Sequence, residues 1–213
     1  MTNFIPIFPL SLIVYPGEKL NLHIFESRYK QLIAECFEHK KPFGIPAVVD
    51  NELKELGTLV EISSLEKIYD DGTMDISTRG VKVFRTLEVV KDIPEKLYSG
   101  AIVTYPGDAT DGNSAAMEKL LSGIRQLHQL LKISKDFKKA DQELTVFDVA
   151  HHIGLSPAEE YELLGLFREA QRQEYLNRHL EKAIAVLQEM ENLKEKVKLN
   201  GHFKNLQSFN FDL

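Results

Sequence analysis

Residues 8–43 read FPLSLIVYPGEKLNLHIFESRYKQLIAECFEHKKPF, and the hydrophobic period changes part-way along this stretch. Short apolar runs broken by Pro9, Pro16 and Gly17 come first, followed by an extended LNLHIF segment. From Tyr29 onward, apolar residues recur at the spacing of one helical face. The pattern predicts a strand, a turn, a strand and then a helix. We expect the turn at Pro16-Gly17 because proline presets a negative φ and glycine accepts a positive one.

Strand-like runs fill the rest of the first half of the chain. They occupy residues 43–49, 57–69, 74–80, 81–90 and 98–105. The charged residues 50–56 between the first two runs predict a loop. Asp71-Gly72 predicts a hairpin turn because both residues take a positive φ at low cost. Gly80 marks either a chain reversal or a bulge. Several antiparallel strands with one early helix indicate a small barrel or a strongly coiled sheet.

These motifs carry a resemblance to a known family. The matching residues are Phe8–Leu10, Val14–Gly17, Leu20–Glu26, Arg28-Tyr29, Pro42–Gly44, Gly57–Ile62, Asp71-Gly72 and Gly80–Arg85. Together they resemble the Lon N-terminal domain, the substrate-binding domain of ATP-dependent Lon proteases. Many relatives have Pro-Leu where this chain has Asn21-Leu22. The resemblance implies a PUA-like β pseudo-barrel with one early helix for the first half.

The clearest change in composition lies at residues 106–113, PGDATDGN, which combine helix breakers with turn formers. We therefore predict a β domain over residues 1–106, a helical subdomain over residues 113–200 and a tail over residues 201–213. The expected fold class is α+β: the PUA-like pseudo-barrel followed by a C-terminal helical bundle with one long helix.

Capping signals place the helices of the second half. Asn113 or Ser114 caps a helix with one apolar face, and Thr145 caps a short helix that Gly154 ends. Ser156 and Glu159 form a capping box, from which one very long helix is expected to run. Apolar residues recur along that helix at spacings of three and four. Such a stripe needs a partner, either other helices of this chain or a second copy, which makes a homo-oligomer one expectation.

Charge and composition limit the function classes. The 213 residues carry a formal net charge of -6, and this acidic balance makes nucleic acid an unlikely partner because phosphate binding needs clustered Lys and Arg. The single cysteine, Cys36, falls on an apolar helical face and predicts a small core residue in a reducing compartment. No apolar run of about 18 residues is present to span a bilayer. We expect no signal peptide, no membrane partner and a cytoplasmic location.

Motifs that imitate catalytic sites have simpler interpretations. The glycines of the linker lack the lysine that a phosphate loop requires. Ser156 is explained by its cap, since Pro157 would remove an amide that an oxyanion hole needs. His151-His152 is a poor metal pair because adjacent helical residues point apart. We therefore predict no metal, no cofactor and no enzymatic activity of its own.

Surface recognition is the function that remains. The resemblance implies binding of unfolded or degron-bearing polypeptides, or of a partner protein, with the chain acting as a non-catalytic adaptor. Candidate binding residues are Phe8, Leu10, Tyr15 and Phe25, although large apolar residues are usually core. The alternatives are an RNA- or small-ligand-binding regulator built on a PUA-like fold, and an enzyme of unrecognised mechanism.

Overall fold

A computed structural model describes residues 2–135, 137 and 139–206. Its first half is a six-stranded antiparallel sheet with one helix. The elements are β1 (Asn3–Pro6), β2 (Lys19–Ile24), α1 (Ser27–Glu38), β3 (Phe43–Val49), β4 (Glu52–Ile68), β5 (Met74–Val90) and β6 (Gly100–Thr104). The strand order is β1-β6-β5-β4-β3, and β2 pairs with β5 beside this path.

The chain that follows β1 closes this sheet into a barrel. The Phe8 N–H donates to the Gly44 carbonyl at 2.8 Å, and the Val48 N–H donates to the Leu10 carbonyl at 3.0 Å. Parallel bridges join Ile7 to Gly44 and Leu10 to Ala47. Because these contacts connect the two outermost strands of the path, the sheet is a pseudo-barrel.

Helix α1 covers one end of the barrel core. Its buried face comprises Tyr29, Leu32, Ile33 and Cys36. The apolar spacing in the sequence predicts these four and also Phe37, which is 47% exposed. The Phe8 and Tyr29 rings stack with their centroids 3.9 Å apart. Burial raises the pKa of the Cys36 thiol to about 12, so this thiol stays protonated and packs as an apolar group.

A turn and a bulge meet at one side of the barrel. The Pro16-Gly17 turn packs on β5, where the Gly17 N–H donates to the Gly80 carbonyl at 2.9 Å. Strand β5 runs without a break through Gly80, and its pairing register with β4 shifts there, so the bulge predicted as one alternative is present. A side chain on Gly80 would collide with the Tyr15 carbonyl oxygen.

The predicted loop over residues 50–56 is wrong. Asp50 and Asn51 alone form the turn, with φ of 54° and 60°, and β4 begins at Glu52. Asp and Asn tolerate this left-handed backbone better than other non-glycine residues, so two residues suffice for the hairpin. The charged residues Glu52, Lys54 and Glu55 lie in this strand.

The second half is helical. Its elements are α2 (Ser114–Leu131), α3 (Val146–Val149), α4 (Pro157–Leu164) and α5 (Glu169–Leu206), with short 3₁₀ turns at Asp141–Glu143 and Ala150–His152. The Asn113 side chain accepts from the backbone N–H groups of Ala115 and Ala116, which confirms Asn113 as the cap of α2. The capping box of Ser156 and Glu159 is also confirmed.

One long C-terminal helix is confirmed, but its predicted start at the Ser156 cap is wrong. Helix α4 ends at Leu164, before Gly165, and α5 begins at Glu169. Between them, Ala109 of the linker pairs with the chain: its N–H donates to the Phe167 carbonyl, and its carbonyl accepts from the Glu169 N–H, both at 2.9 Å. Phe167 and Glu169 form this long-range pairing in place of the hydrogen bonds that a continuous helix would contain there. Helix α5 continues into the predicted tail, of which residues 207–213 lie outside the described residues.

One apolar cluster joins the barrel to the helices. Barrel residues of this cluster are Ile13, Tyr15, Ala47, Val49, Leu56 and Val83, and they pack with apolar residues of α2, α3, α4 and α5. Two hydrogen bonds accompany this packing: the Tyr15 hydroxyl donates to the Glu160 carbonyl at 3.1 Å, and the Leu56 N–H donates to the Tyr161 hydroxyl at 3.2 Å. The predicted α+β architecture is confirmed, whereas the proposed domain boundary stays a prediction.

Candidate binding cleft

A cleft of about 830 Å³ lies where the barrel, the linker and the helices meet; we call it the junction cleft. Its walls come from the Pro16-Gly17 turn, linker residues between Asp108 and Ser114, and the first turns of α2 and α5. Its floor is apolar and is formed by Met117, Leu121, Leu144 and Phe147. Its volume falls within the range of small-molecule and cofactor sites, about 300–1,000 Å³.

Arg172 fixes one wall of the junction cleft. The guanidinium forms ion pairs with Asp108 and, at 2.9 Å, with Glu169, and its Nε donates to the Leu166 carbonyl at 2.7 Å. It also lies 4.2 Å from the centroid of the Phe147 ring. Only 4% of the Arg172 side chain is exposed. Because the charge is buried but fully paired, this wall is preorganised.

Glu169 and Gln173 connect the start of α5 to the other walls. The Glu169 carboxylate accepts from the Val146 N–H at 2.9 Å, at the first residue of α3. The Gln173 side-chain oxygen accepts from the Asn113 N–H at 2.9 Å, at the cap of α2. One helix therefore orients the beginnings of two others around the cleft.

The lining of the junction cleft is acidic. It contains the carboxylates of Asp108, Glu118, Asp141, Asp148 and Glu169 and the cations of Lys139 and Arg172. Partial burial opposes ionisation of Asp148, but hydrogen bonds from Lys139 and Thr145 hold the pKa of its carboxyl below its usual value. Arg125, outside the lining, pairs with Asp141 at 2.7 Å. The remaining excess of carboxylates favours cationic ligands over phosphates.

His151 lies beneath the same junction. Its ring is 4.8 Å from the Tyr15 ring, centroid to centroid, and the Tyr15 ring stacks on Phe147 of the cleft floor at 4.9 Å. Its two nitrogens contact the carboxylates of Glu18 and Glu160. Burial of the ring opposes its charged form, yet these two carboxylates raise the pKa of His151 to about 9. The imidazolium therefore connects the barrel to α4.

A family model for the ATP-dependent protease La (LON) substrate-binding domain matches residues 5–182. The chain belongs to this family. The match spans the barrel, the junction cleft and the first turns of α5, and it supports a role in substrate recognition.

Two solved structures share this Lon N-terminal fold. The crystal structure of a Lon N-terminal domain protein from Xanthomonas campestris is 21% identical, with a TM-score of 0.60; the match covers 82% of this chain and 96% of that one. The N-terminal domain of the Mycobacterium avium complex Lon protease is 13% identical, with a TM-score of 0.61 and coverage of 84% and 98%. At these identities the likeness establishes the fold.

The four residues that the sequence predicts as binding residues lie in different environments in this Lon domain. Phe8 and Tyr15 are buried, and Leu10 is partly buried. Phe25 is 63% exposed at the end of β2, beside the ring of His23. None of the four lines the junction cleft, although Tyr15 supports its floor through Phe147.

Sequence reasoning missed the residues that shape the cleft. Arg172 falls on the same helical face as Leu176 and Leu180, both buried. A cation on an otherwise buried helical face is the signal that would have pointed to a paired, preorganised charge. Its partner Asp108 lies in the linker, 64 positions away, and no local pattern connects the two.

Among the described residues, no group of three or more His, Cys, Asp or Glu side chains is arranged to hold a metal ion. Within the same residues, no helix is both long and apolar enough to span a membrane.

Proposed function

We propose that this chain binds unfolded or degron-bearing polypeptide in the junction cleft, as a recognition or adaptor protein that performs no catalysis itself. One observation carries the proposal: the cleft lies inside the region that matches the Lon substrate-binding family. It has an apolar floor and a preorganised wall. Recognition of exposed apolar side chains needs a concave apolar surface, and this cleft supplies one.

The chemistry of the cleft specifies the kind of polypeptide segment. Met117, Leu121 and Phe147 offer an apolar floor to one or two large apolar side chains. The surrounding carboxylates repel acidic neighbours and attract basic ones. The preferred segment is therefore apolar and flanked by Lys or Arg. The same acidic rim disfavours an RNA backbone at this site.

A pair of adjacent tryptophan substitutions tests the site. Gln142 lines the cleft, whereas its exposed neighbour Glu143 in the same 3₁₀ turn does not. Gln142→Trp fills the cleft and is expected to weaken binding about tenfold, the effect of losing roughly 1.4 kcal/mol. Glu143→Trp leaves binding unchanged. The probe is a fluorescently labelled, permanently unfolded polypeptide whose apolar segments are flanked by lysines, and binding is measured by fluorescence anisotropy.

Unchanged thermal unfolding of both variants shows that the substitutions leave the fold intact. Absence of any wild-type binding, or equal weakening by both variants, would overturn the proposed site. Incubation of the labelled probe with the chain, with and without ATP, tests the non-catalytic part. Fragments in either sample on a denaturing gel would contradict it.

A further inference from the structure

A second concave surface lies between α2 and α5. Its walls are the last turns of α2 with residues 133–135, the segment 151–154 and the face of α5 between His179 and Leu187. We call it the α2–α5 groove; its volume is about 760 Å³, and it shares no lining residue with the junction cleft. Because a helix rises about 1.5 Å per residue, the groove is roughly 12 Å long.

The outer part of the α2–α5 groove is apolar. Leu131 and Ile133, at the end of α2, are nearly half exposed, and Val186 on α5 is 56% exposed. The buried side chains of Leu127 and Ile153 lie in the same lining. Several large apolar side chains thus face one groove and remain in contact with water. Covering them with an apolar ligand is favourable.

Polar groups gather around the segment 151–154 of the groove. The His128 Nε2 donates to the His152 carbonyl at 3.0 Å, and the His179 Nε2 donates to the Ile153 carbonyl at 3.2 Å. The Nδ1 atom of His152 is buried and has no hydrogen-bond partner among the described residues. Since buried polar atoms are normally hydrogen-bonded, this part of the groove has unused polar capacity.

The lining of the groove carries an excess of positive charge. It contains Lys135, Lys182, the imidazolium of His151 and one carboxylate, that of Glu159. The His151 charge is offset, because its ring contacts two carboxylates outside the groove. The Glu159 carboxylate accepts from the Ser156 N–H at 2.8 Å and from its hydroxyl at 2.7 Å, so it is engaged at the cap of α4. The two lysines therefore decide the sign of the charge that a ligand meets.

Lys182 is the cation best placed to meet a ligand. It is exposed and lies one helical turn from His179 and one from Val186, between the polar and the apolar parts of the groove. Lys135 adds a second positive charge on the opposite wall. Its neighbour in the sequence, Asp136, lies outside the described residues, so we assign the main role to Lys182.

The acidic residues closest to Lys182 along α5 do not line the groove. Glu181 pairs with Lys119 of α2 at 2.7 Å. Glu189 follows Lys182 by two helical turns, beyond the apolar part of the lining. The charge of Lys182 is therefore available to an anion.

The shape of the groove favours an alkyl chain over a polypeptide. A volume of about 760 Å³ over a length of roughly 12 Å corresponds to a channel about 8 Å across, narrower than the 10–12 Å of a helix with its side chains. An extended peptide needs a strand edge for its amides, whereas the two long walls are helices whose backbone groups are bonded internally. The His152 and Ile153 carbonyls are likewise occupied. An alkyl chain needs no such partners.

We propose that the α2–α5 groove binds a medium-chain fatty acid. The carboxylate lies at Lys182, beside the segment 151–154, and the alkyl chain runs along Leu131, Val186 and Leu187. The carboxylate supplies the negative charge that complements the lining, and the chain covers the apolar side chains. Because the groove and the junction cleft share no residue, this site is independent of the proposed polypeptide binding.

Isothermal titration calorimetry of the full chain with hexanoate, octanoate and decanoate tests the proposal. Each pair of added methylenes lies on the apolar side chains, so the affinity should rise by up to about fourfold per methylene. Decyltrimethylammonium, which has the same chain and the opposite charge, should bind at least about tenfold more weakly than decanoate. Absence of decanoate binding at about 1 mM, equal affinity for all three acids, or equal affinity for the cationic chain would overturn the proposal.

Two tryptophan variants locate the site. Ala183 lines the groove, whereas Ala185 is exposed on the same helix and does not line it. Ala183→Trp fills the groove and should weaken decanoate binding about tenfold, while Ala185→Trp leaves it unchanged. Equal weakening by both variants would place the ligand elsewhere and refute the site.

Charge reversal tests the position of the carboxylate without altering the groove wall. Lys182→Glu should weaken decanoate binding about tenfold, whereas Lys196→Glu, the same change at an exposed position of α5 beyond the groove, should not. Equal responses of these two variants would refute the role of Lys182. Gln142→Trp should leave decanoate binding intact, and Ala183→Trp should leave binding of the unfolded polypeptide intact. Failure of either proposed site is thereby distinguished from failure of the other.

Discussion

The Nε2 atom of His151 lies 3.2 Å from the carboxylate of Glu18, although 133 positions of sequence separate the two residues. On the opposite side of the ring, Nδ1 lies 2.6 Å from the carboxylate of Glu160. The protonated ring therefore contacts a carboxylate of the barrel and one of α4 at the same time. This contact stabilises the junction at which the binding cleft lies, and its strength depends on pH.

The first prediction concerns this pH dependence. Because the folded-state pKa of His151 is raised from 6.5 to about 9, its stabilisation is fully present below pH 6.5 and is lost as the pH rises through about 9. Replacing it, as in His151→Gln, should lower the free energy of unfolding at pH 6, and the difference from wild type should shrink towards zero near pH 10. Urea denaturation across this pH range measures it.

The matched control is His39→Gln, because His39 is exposed at the end of α1. Its difference from wild type should be small at every pH. A His151→Gln difference that stays constant from acid to alkaline pH would show that the ring acts only through packing.

The second prediction concerns the buried cation of the cleft wall. Removing the guanidinium in Arg172→Ala leaves Asp108 and Glu169 without their cation, and the expected loss is about 3–5 kcal/mol in the free energy of unfolding. Arg178→Ala removes an exposed ion pair on the same helix and should cost about 0.5 kcal/mol or less. Urea denaturation measures the free energy of unfolding of both variants. Similar losses in the two variants would contradict the role assigned to Arg172.

A third prediction tests the close approach of the Pro16-Gly17 turn to β5. The Cβ atom in Gly80→Ala would meet the backbone carbonyl of Tyr15, which cannot move without disturbing the barrel. We expect a loss of about 1–3 kcal/mol, typical of overpacking. Gly107→Ala is the control, since a Cβ there meets no heavy atom within 4 Å. Comparable midpoints of thermal unfolding for the two variants would refute the tight contact.

Local signals in the sequence predicted the local structure. The apolar spacing from Tyr29 to Cys36 gave the buried face of α1, and the Ser156 and Glu159 pair gave the start of α4. Both depend on residues within two helical turns of one another, so the pattern contains all the required information. The family resemblance predicted the barrel as a whole.

Long-range contacts explain what the sequence did not predict. The sequence predicts α4 and α5 as one helix, but the chain leaves the helical path between Leu164 and Glu169, where Ala109 pairs with Phe167 and Glu169. The cleft likewise depends on a contact between Asp108 and Arg172, which no periodicity reveals. Among the four predicted binding residues, Phe8 and Tyr15 are buried because large apolar side chains complete the core.

The last prediction concerns the acidic rim of the junction cleft. Glu118 is exposed on the rim, and Glu118→Lys removes a negative charge and adds a positive one. A labelled apolar peptide flanked by lysines should bind this variant several-fold more weakly than wild type, while a glutamate-flanked peptide should bind it better. Asp92→Lys, which makes the same charge change at an exposed position outside the cleft, is the control.

The salt dependence of binding distinguishes electrostatic attraction at the rim from apolar contact at the floor. Raising the ionic strength from about 0.05 M to 0.3 M shortens the screening length and should reduce the preference of wild type for the lysine-flanked peptide. Fluorescence anisotropy titrations give the affinities. Equal binding of both peptides to wild type at low salt, or an identical response of the Glu118→Lys and Asp92→Lys variants, would show that the rim charges do not select the polypeptide. Recognition would then rest on the apolar floor alone, which Met117, Leu121, Leu144 and Phe147 provide at every salt concentration.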